Sequence, residues 1–235
     1  MIYLSLNSGN GSLDLGLQRL QHWRVACYVE ENDFNISLLE ARIDETTLQD
    51  APIWGNFFTF DGKPWSGLVD CIVGIESLRH SANHWKCASA CSNKLVALIQ
   101  DMEPRYILWQ FAHASKKKIF RSASYLANRL EIFNYNTTLF KVRASDLGAD
   151  HRRSTIFLCA EMADSTPIQR HSRIDEIEYR LSTPCRASRW TSNGRVYRGI
   201  NGFADRMESI NAAGSGTIPA MGAAISTLFE SGIVF

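Results

Sequence analysis

Apolar and polar residues fall into blocks along this chain, and the period changes from block to block. Residues 2–6, IYLSL, form a short apolar run that breaks at Ser8-Gly9-Asn10-Gly11-Ser12. LDLGLQRLQHW follows, with Leu13, Leu17 and Leu20 on helical spacing. This order predicts strand, glycine turn, helix. RVACYV, Arg24 to Val29, predicts a second strand closed by Glu30, and Asn32 to Arg42 a second helix with Phe34, Leu38 and Leu39 as its apolar positions. Residues 51–67 are loop-rich and aromatic and lead into the apolar strand LVDCIVG. Trp85 to Met102 returns to helical spacing and is halted by Pro104. RYILWQF (Arg105 to Phe111) predicts a strand, Lys116 to Leu130 a helix, and TTLFKVRA and STIFLCA two more strands.

After Ala160 the periodicity dissolves. Residues 161–195 are polar and arginine-rich, with Pro167 and Pro184. The tail then regains order as a glycine turn and a helix starting near Pro219. Strands alternating with helices predict an α/β fold, a mostly parallel sheet with helices on both faces. Residues 1–160 are read as the core, 161–195 as a small irregular insert and 196–235 as a segment that completes the core.

Composition narrows the class. With 235 residues, 45% hydrophobic and 21% charged, the chain has the make-up of an ordinary globular domain. No apolar run is long enough to span a bilayer, and the opening MIYLSLNSGNG lacks the regions of a signal peptide, so a cytoplasmic, membrane-free protein is expected. Acidic residues outnumber basic ones in residues 1–100, and the reverse holds in residues 101–235. That split permits contact with a polyanion without requiring it. The six cysteines are scattered, several within strand-like runs, which predicts reduced thiols instead of a disulfide framework.

Two patterns carry candidate chemistry. The glycine turn lets backbone approach a ligand, and an acidic residue at the end of the second strand, Glu30 or its neighbour Glu31, sits where a ribose-binding carboxylate sits in nucleotide-binding folds. Both also have plain structural readings, a tight turn and a solvated strand end. His80, His84, Cys87 and Cys91 have ligand-type side chains near one helix start, but C-x-x-C pairs are absent and Cys91 also suits an apolar stripe, so no metal site is expected.

Taken together, the motifs resemble those of the cytosine-C5 DNA methyltransferases, in the family's order and over nearly the whole chain. LSLNSGNGSLDLGL is similar to the family's opening motif and VACYVEEN to its acidic second-strand motif. APIWGNFFTFDGKPWSGLVDCIVG is similar to the run leading to the catalytic turn, RYILWQF to the Glu-Asn-Val strand, and LGADHRRSTIFLCA to the Gly-Ala-Pro-His-Arg-Arg motif. RVYRGINGFADRMESINAAGSGTIP is similar to the closing pair. The resemblance implies a class I, Rossmann-like methyltransferase fold, S-adenosylmethionine as ancestral ligand and DNA as ancestral substrate.

The departures fall on the chemistry. In the family a cysteine thiolate attacks the base within a Gly-Gly-Pro-Pro-Cys-Gln turn. Here the turn reads Gly74-Ile75-Glu76-Ser77-Leu78-Arg79, and Leu78 has no lone pair to offer. Gln110 stands for the family's glutamate, Phe111 for its asparagine and Thr155 for the last arginine of its His-Arg-Arg-x-Arg pattern. Only Arg79 to His84 separate Leu78 from Trp85, where relatives carry a long loop that closes over a flipped base. No catalytic residue is expected.

The cofactor positions depart less. Gly9, Gly11 and Glu30 match, while Asn7 replaces an aromatic residue, Asn56 an aspartate and Ser215 an asparagine. Residual S-adenosylmethionine binding through Gly9, Gly11, Glu30 and Asn56 is one expectation, and an empty, vestigial cleft the other. Lys116, Lys117, Lys118, Arg152, Arg153, Arg186 and Arg189 are candidates for non-specific phosphate contact, against the bland reading of a solvated basic surface.

The expected role is therefore that of a catalytically inactive relative that binds a protein partner, DNA or both. The partner would be an active methyltransferase, a second copy or another nucleic-acid enzyme. Two alternatives stand beside it: one half of a two-chain methyltransferase, and an active enzyme whose nucleophile has moved to Cys71, Cys87 or Cys91.

Overall fold

The computed structural model describes residues 1–20, 22–76, 84–111, 116–147, 154–163, 177–178 and 218–230; within these, the side chains of 84–89, 116–121, 177–178 and 228–230 are not described. Strands β1 (Ile2–Leu6), β2 (Arg24–Val29), β3 (Ile53–Trp54), β4 (Cys71–Glu76), β5 (Tyr106–Phe111), β6 (Tyr135–Arg143), β7 (Ser154–Met162) and β8 (Ile177–Glu178) build one sheet in the order β3-β2-β1-β4-β5-β7-β6-β8. Helices α1 (Ser12–Gln18), α2 (Asp33–Asp44), α3 (His84–Met102), α4 (Lys116–Ile132) and α5 (Pro219–Glu230) flank it. β1 pairs parallel with both β2 and β4, and β4 with β5, whereas β7 runs antiparallel between β5 and β6. The expected mostly parallel, doubly wound architecture is the one found.

Two apolar layers show how the sequence closes this sheet. Leu4, Leu6, Val29, Ile72, Ile107 and Trp109 pack with Leu95, Leu98 and Ile99 of α3 and Leu126 and Leu130 of α4. Tyr3, Tyr28, Cys71, Val73, Leu108 and Phe157 pack with Leu13 and Leu17 of α1, Leu39 of α2, and Met221 and Ile225 of α5. Alternate residues of each strand belong to opposite layers, as the pleat requires when both faces are covered.

Local signals set the element ends. Asn32 caps α2, its side chain accepting from the Asn35 amide at 3.1 Å, as expected of an N-cap asparagine. α1 and α5 meet almost backbone to backbone: a methyl group on Gly16 would lie 2.1 Å from the Pro219 carbonyl oxygen, and one on Gly222 2.8 Å from that of Leu13. Only glycine permits so close an approach, and it ties the final segment to the first helix.

Three boundaries differ from the sequence reading. β3 lies inside the stretch read as loop, because two residues are too few to show a period. β7 runs past Ala160 to Met162. β4 runs from Cys71 to Glu76, later than the run LVDCIVG, and Leu78 lies outside the described residues. No described helix is long and apolar enough to cross a membrane.

Candidate ligand crevice

In a parallel doubly wound sheet, ligands bind beyond the carboxyl ends of the strands, where the strand order reverses. Here β1 lies between β2 and β4, and the turn that leaves it is built for close backbone approach. Asn7, Gly9 and Gly11 have φ of 51°, 60° and 71°. The Ser8 amide donates to the Val29 carbonyl at 3.1 Å and the Gly11 amide to the Ser8 carbonyl at 3.0 Å, closing the turn against β2. Gly11 has a second reason to be glycine, since a methyl group there would meet Leu48 at 2.7 Å and Leu39 at 2.9 Å.

Glu30 stands against this turn. It is 6% exposed, its Oε2 accepts from the Gly9 amide at 2.7 Å, and its Oε1 accepts from the Asn32 amide at 3.0 Å. The carboxylate thus locks the glycine turn to the end of β2. A carboxylate oxygen can accept more than one hydrogen bond, so each retains capacity for a hydroxyl donor. The Glu30 amide in turn donates to the Trp54 carbonyl at 3.0 Å, which brings the end of β3 alongside.

Asn56 does a different job. Its Oδ1 accepts from the amides of Phe58 and Thr59 at 2.9 and 3.2 Å and so shapes its own loop. Of the two side chains expected at a ribose and at a base's amino group, the Glu30 carboxylate keeps acceptor capacity, while the Asn56 carbonyl is committed to its own loop. Among the four cofactor candidates, Gly9, Gly11 and Glu30 form one bonded unit, and Asn56 belongs to the neighbouring loop.

Across the sheet, Gln110 of β5 pairs with Phe157 of β7, and Thr155 lies two residues further along β7. Residues paired across an antiparallel ladder share a face, as do residues two apart, which places Gln110 and Thr155 on the α1 and α5 side as diagonal neighbours about 7–8 Å apart. Both are buried, 2% and 8% exposed. An amide and a hydroxyl therefore share this face. Ser215 and the candidate DNA contacts Arg152, Arg153, Arg186 and Arg189 lie outside the described residues. Lys116, Lys117 and Lys118 form the first turn of α4, and their side chains are not described.

The thiols considered as displaced nucleophiles sit badly for that task. Cys71 opens β4, at the strand end away from the crevice, is fully buried, and has its pKa pushed far above the usual range by desolvation. Cys91 is buried in the α3 layer, as is Cys27, which was no candidate and whose pKa burial pushes up to about 11. A thiol held protonated is a poor nucleophile. The side chain of Cys87 is not described, and His80 lies outside the described residues. Among the described residues no group of three His, Cys, Asp or Glu could hold a metal ion.

Three residues that sequence reasoning did not single out belong to this region. Glu76 closes β4, is 4% exposed, and burial raises its carboxyl from 4.5 to about 7 against a bond from the Ser122 side chain. By alternation it shares the face of Ile72, the α3 and α4 side, opposite to Gln110. Asp14 of α1 is buried and raised to about 6 by desolvation, opposed by bonds from Ser5 and Tyr3. The Tyr3 hydroxyl donates to Asp14 Oδ1 at 3.1 Å. Trp54 ends β3 with 47% of its surface exposed. For Glu76 the missed signal was a lone carboxylate closing a strand otherwise free of charge, CIVGIE.

No family profile matches this chain, and no curated protein matches it. Solved structures do. They include the DNMT2 of Spodoptera frugiperda, solved as a triple mutant, with a TM-score of 0.58 at 16% identity over 78% of this chain and 57% of that one. They also include the Dnmt2 methyltransferase of Schizosaccharomyces pombe, with 0.52 at 14% over 76% and 60%, and the Entamoeba histolytica methyltransferase EhMeth, with 0.53 at 12% over 74% and 57%. The chain has the class I, Rossmann-like methyltransferase fold. It spans less than two thirds of the length of these neighbours.

Proposed function

We propose that this chain binds an S-adenosylmethionine-type nucleoside in the crevice between β1 and β2, and that it acts by binding and not as a cytosine-C5 methyltransferase. The observation that carries the reading is the pairing of a kept and a lost half. Glu30 still locks the glycine turn through the Gly9 amide at 2.7 Å, while Gln110 and Thr155 bring an amide and a hydroxyl to one face where the resembling family has a carboxylate and a guanidinium. Covalent attack on a cytosine ring needs a thiolate and an acid near the base. Leu78 and Gln110 supply neither, and Cys71 and Cys91 are buried in packing positions.

On this reading a protein partner, DNA held through its phosphates, or both receive the bound form. The partner is an active methyltransferase, a second copy or another nucleic-acid enzyme. Calorimetric titration of the whole chain with S-adenosylmethionine and with duplex DNA, separately and then together, tests the binding half, and heat from S-adenosylmethionine is the expected result. Transfer of labelled methyl groups to DNA by the purified chain without any partner would overturn the non-catalytic half.

A second reading has its support in the short interval from Arg79 to His84 between Leu78 and Trp85: it suits one half of a two-chain methyltransferase whose other half supplies the loop and the base-reading region. Methyl transfer by a co-purified mixture, and by neither component separately, is the outcome that favours it over the first.

A further inference from the structure

Asp14 is a carboxylate buried in the first turn of α1, directly behind the glycine turn, and only 1% exposed. The Tyr3 hydroxyl donates to its Oδ1 at 3.1 Å, and Ser5 bonds to it as well. Gln18 Nε2 donates to the hydroxyls of both Tyr3 and Tyr28 at 2.9 Å, so the surroundings of Asp14 are tied together across β1 and β2. An asparagine could accept the same bonds without the cost of burying a charge. The charge itself therefore calls for a role.

Arg42 supplies it. The inner side of α2 runs along the glycine turn: a methyl group on Gly11 would lie 2.9 Å from Leu39 and 3.8 Å from Arg42 Nη1, and Arg42 Nη1 donates to the Asn10 carbonyl. Two carboxylates favour the charged guanidinium, Glu45 at the C-cap of α2 and Asp14. Among the described residues, the titratable groups facing Asp14 are Tyr3 of β1, Tyr28 of β2 and Arg42 of α2, and the described side chains of α5 carry no charge. Burial pushes both tyrosines further up and Asp14 to about 6, so near neutrality Asp14 is the member of this group that changes charge.

We propose that Arg42 is a positioning residue for the glycine turn, and that the charge on Asp14 sets how firmly it holds, so that proton uptake by Asp14 loosens the turn from Gly9 to Gly11. When Asp14 is ionised, its attraction for the guanidinium acts through the protein interior, where charges are screened less than in water. When it is protonated, Arg42 keeps Glu45 as its remaining carboxylate of the two, and its hold on the Asn10 carbonyl slackens. A ligand that needs an ordered turn then binds less tightly, and by reciprocity its binding favours the ionised Asp14. The ligand consequence rests on the reading of the β1–β2 crevice as a binding site; the behaviour of the turn does not.

The test follows amide exchange in the ligand-free whole chain at Gly11, which donates to the Ser8 carbonyl at 3.0 Å, and at Leu15, which donates to that of Gly11 at 2.9 Å. Rates are divided by those of the unfolded chain at each pH. Protection is expected to fall about five-fold as pH drops through 6, the low end of coupling between sites. D14N should show the low protection at every pH while raising the urea midpoint at neutral pH, because it removes a buried charge. A merely structural role would move protection and midpoint together. R42A should match the low protection, and R42K, which keeps the charge, should restore part of it. Wild-type protection that stays flat with pH, or D14N that falls in step with wild type, overturns the proposal. Calorimetric titration with S-adenosylhomocysteine on either side of pH 6 reads the ligand arm, with weaker binding on the acid side expected in wild type and no change in D14N. Equal wild-type affinity on both sides overturns that arm, and absence of binding at any pH overturns the crevice reading while the exchange result still decides the turn.

Discussion

Trp109 covers the bare backbone of Gly74. The two are paired across β4 and β5, and a methyl group on Gly74 would lie 2.2 Å from Trp109 Cζ3 and 2.5 Å from the Leu6 carbonyl oxygen. The indole therefore fills the space above the strand that carries the crevice, and glycine is what allows it. G74A is expected to destabilise by about 3 kcal/mol, at the upper end of overpacking. Combining it with W109L should recover only part of the loss, since the carbonyl clash remains. Urea unfolding of the two variants checks this; full recovery in the double variant would contradict it.

Glu76 makes stability depend on pH in a stated direction. Its carboxyl titrates at about 7 in the folded chain and at 4.5 when free. Between those values the folded chain keeps a proton that the unfolded chain has released, so this contribution is full below 4.5 and is lost as pH rises through 7. The gap corresponds to roughly 3 kcal/mol. Asp14, raised from 3.8 to about 6, adds a loss of the same sign at lower pH. E76Q should flatten the profile between about pH 4.5 and 7 and stabilise the chain at pH 8. Urea midpoints taken at unit steps of pH would refute this if E76Q and wild type fell in parallel.

Glu30 holds the turn as well as facing the crevice. E30A removes the acceptor for two backbone amides, and hydrogen bonds to a charged group contribute about 1.5–3 kcal/mol each. At the low end of that range for the two bonds, a loss of about 3 kcal/mol is expected, with faster amide exchange at Gly9 and Asn32. E30Q keeps one acceptor oxygen and should lose about half as much. Hydrogen exchange at those two amides is the direct measurement, and unchanged protection in E30A would show that the lock is not made.

The buried thiols should be silent. Cys27, Cys71, Cys91 and Cys159 are buried, and a protonated, inaccessible thiol does not attack a disulfide reagent. At most two of the six cysteines are expected to react in the native chain and all six in denaturant. Rapid native reaction at Cys71 or Cys91, located by peptide mapping, would reopen the case for a displaced nucleophile.

Much of the sheet could be read from the sequence, for identifiable reasons. IYLSL and RVACYV coincide with β1 and β2 because each is a compact apolar run ended by a turn residue or an acid. Glu30 was legible because the end of an apolar strand is a defined place. Trp54 was not, since a two-residue strand after Pro52 has no period and its tryptophan reads like any other aromatic of that loop. Nor could Gly16 and Gly222 be matched, because their need for glycine arises only when helices from opposite ends of the sequence meet. The sheet order itself was implied by the resemblance; strand periodicity does not encode which strands become neighbours.

That meeting of α1 with α5 also bears on how the molecule is made. The helix behind the glycine turn leaves the ribosome well before Met221 and Ile225, yet those two residues complete the surface on which Leu13 and Leu17 come to rest. During translation this first helix must wait with its apolar side unclosed while the intervening chain is produced, a state that favours capture by chaperones or by another nascent copy.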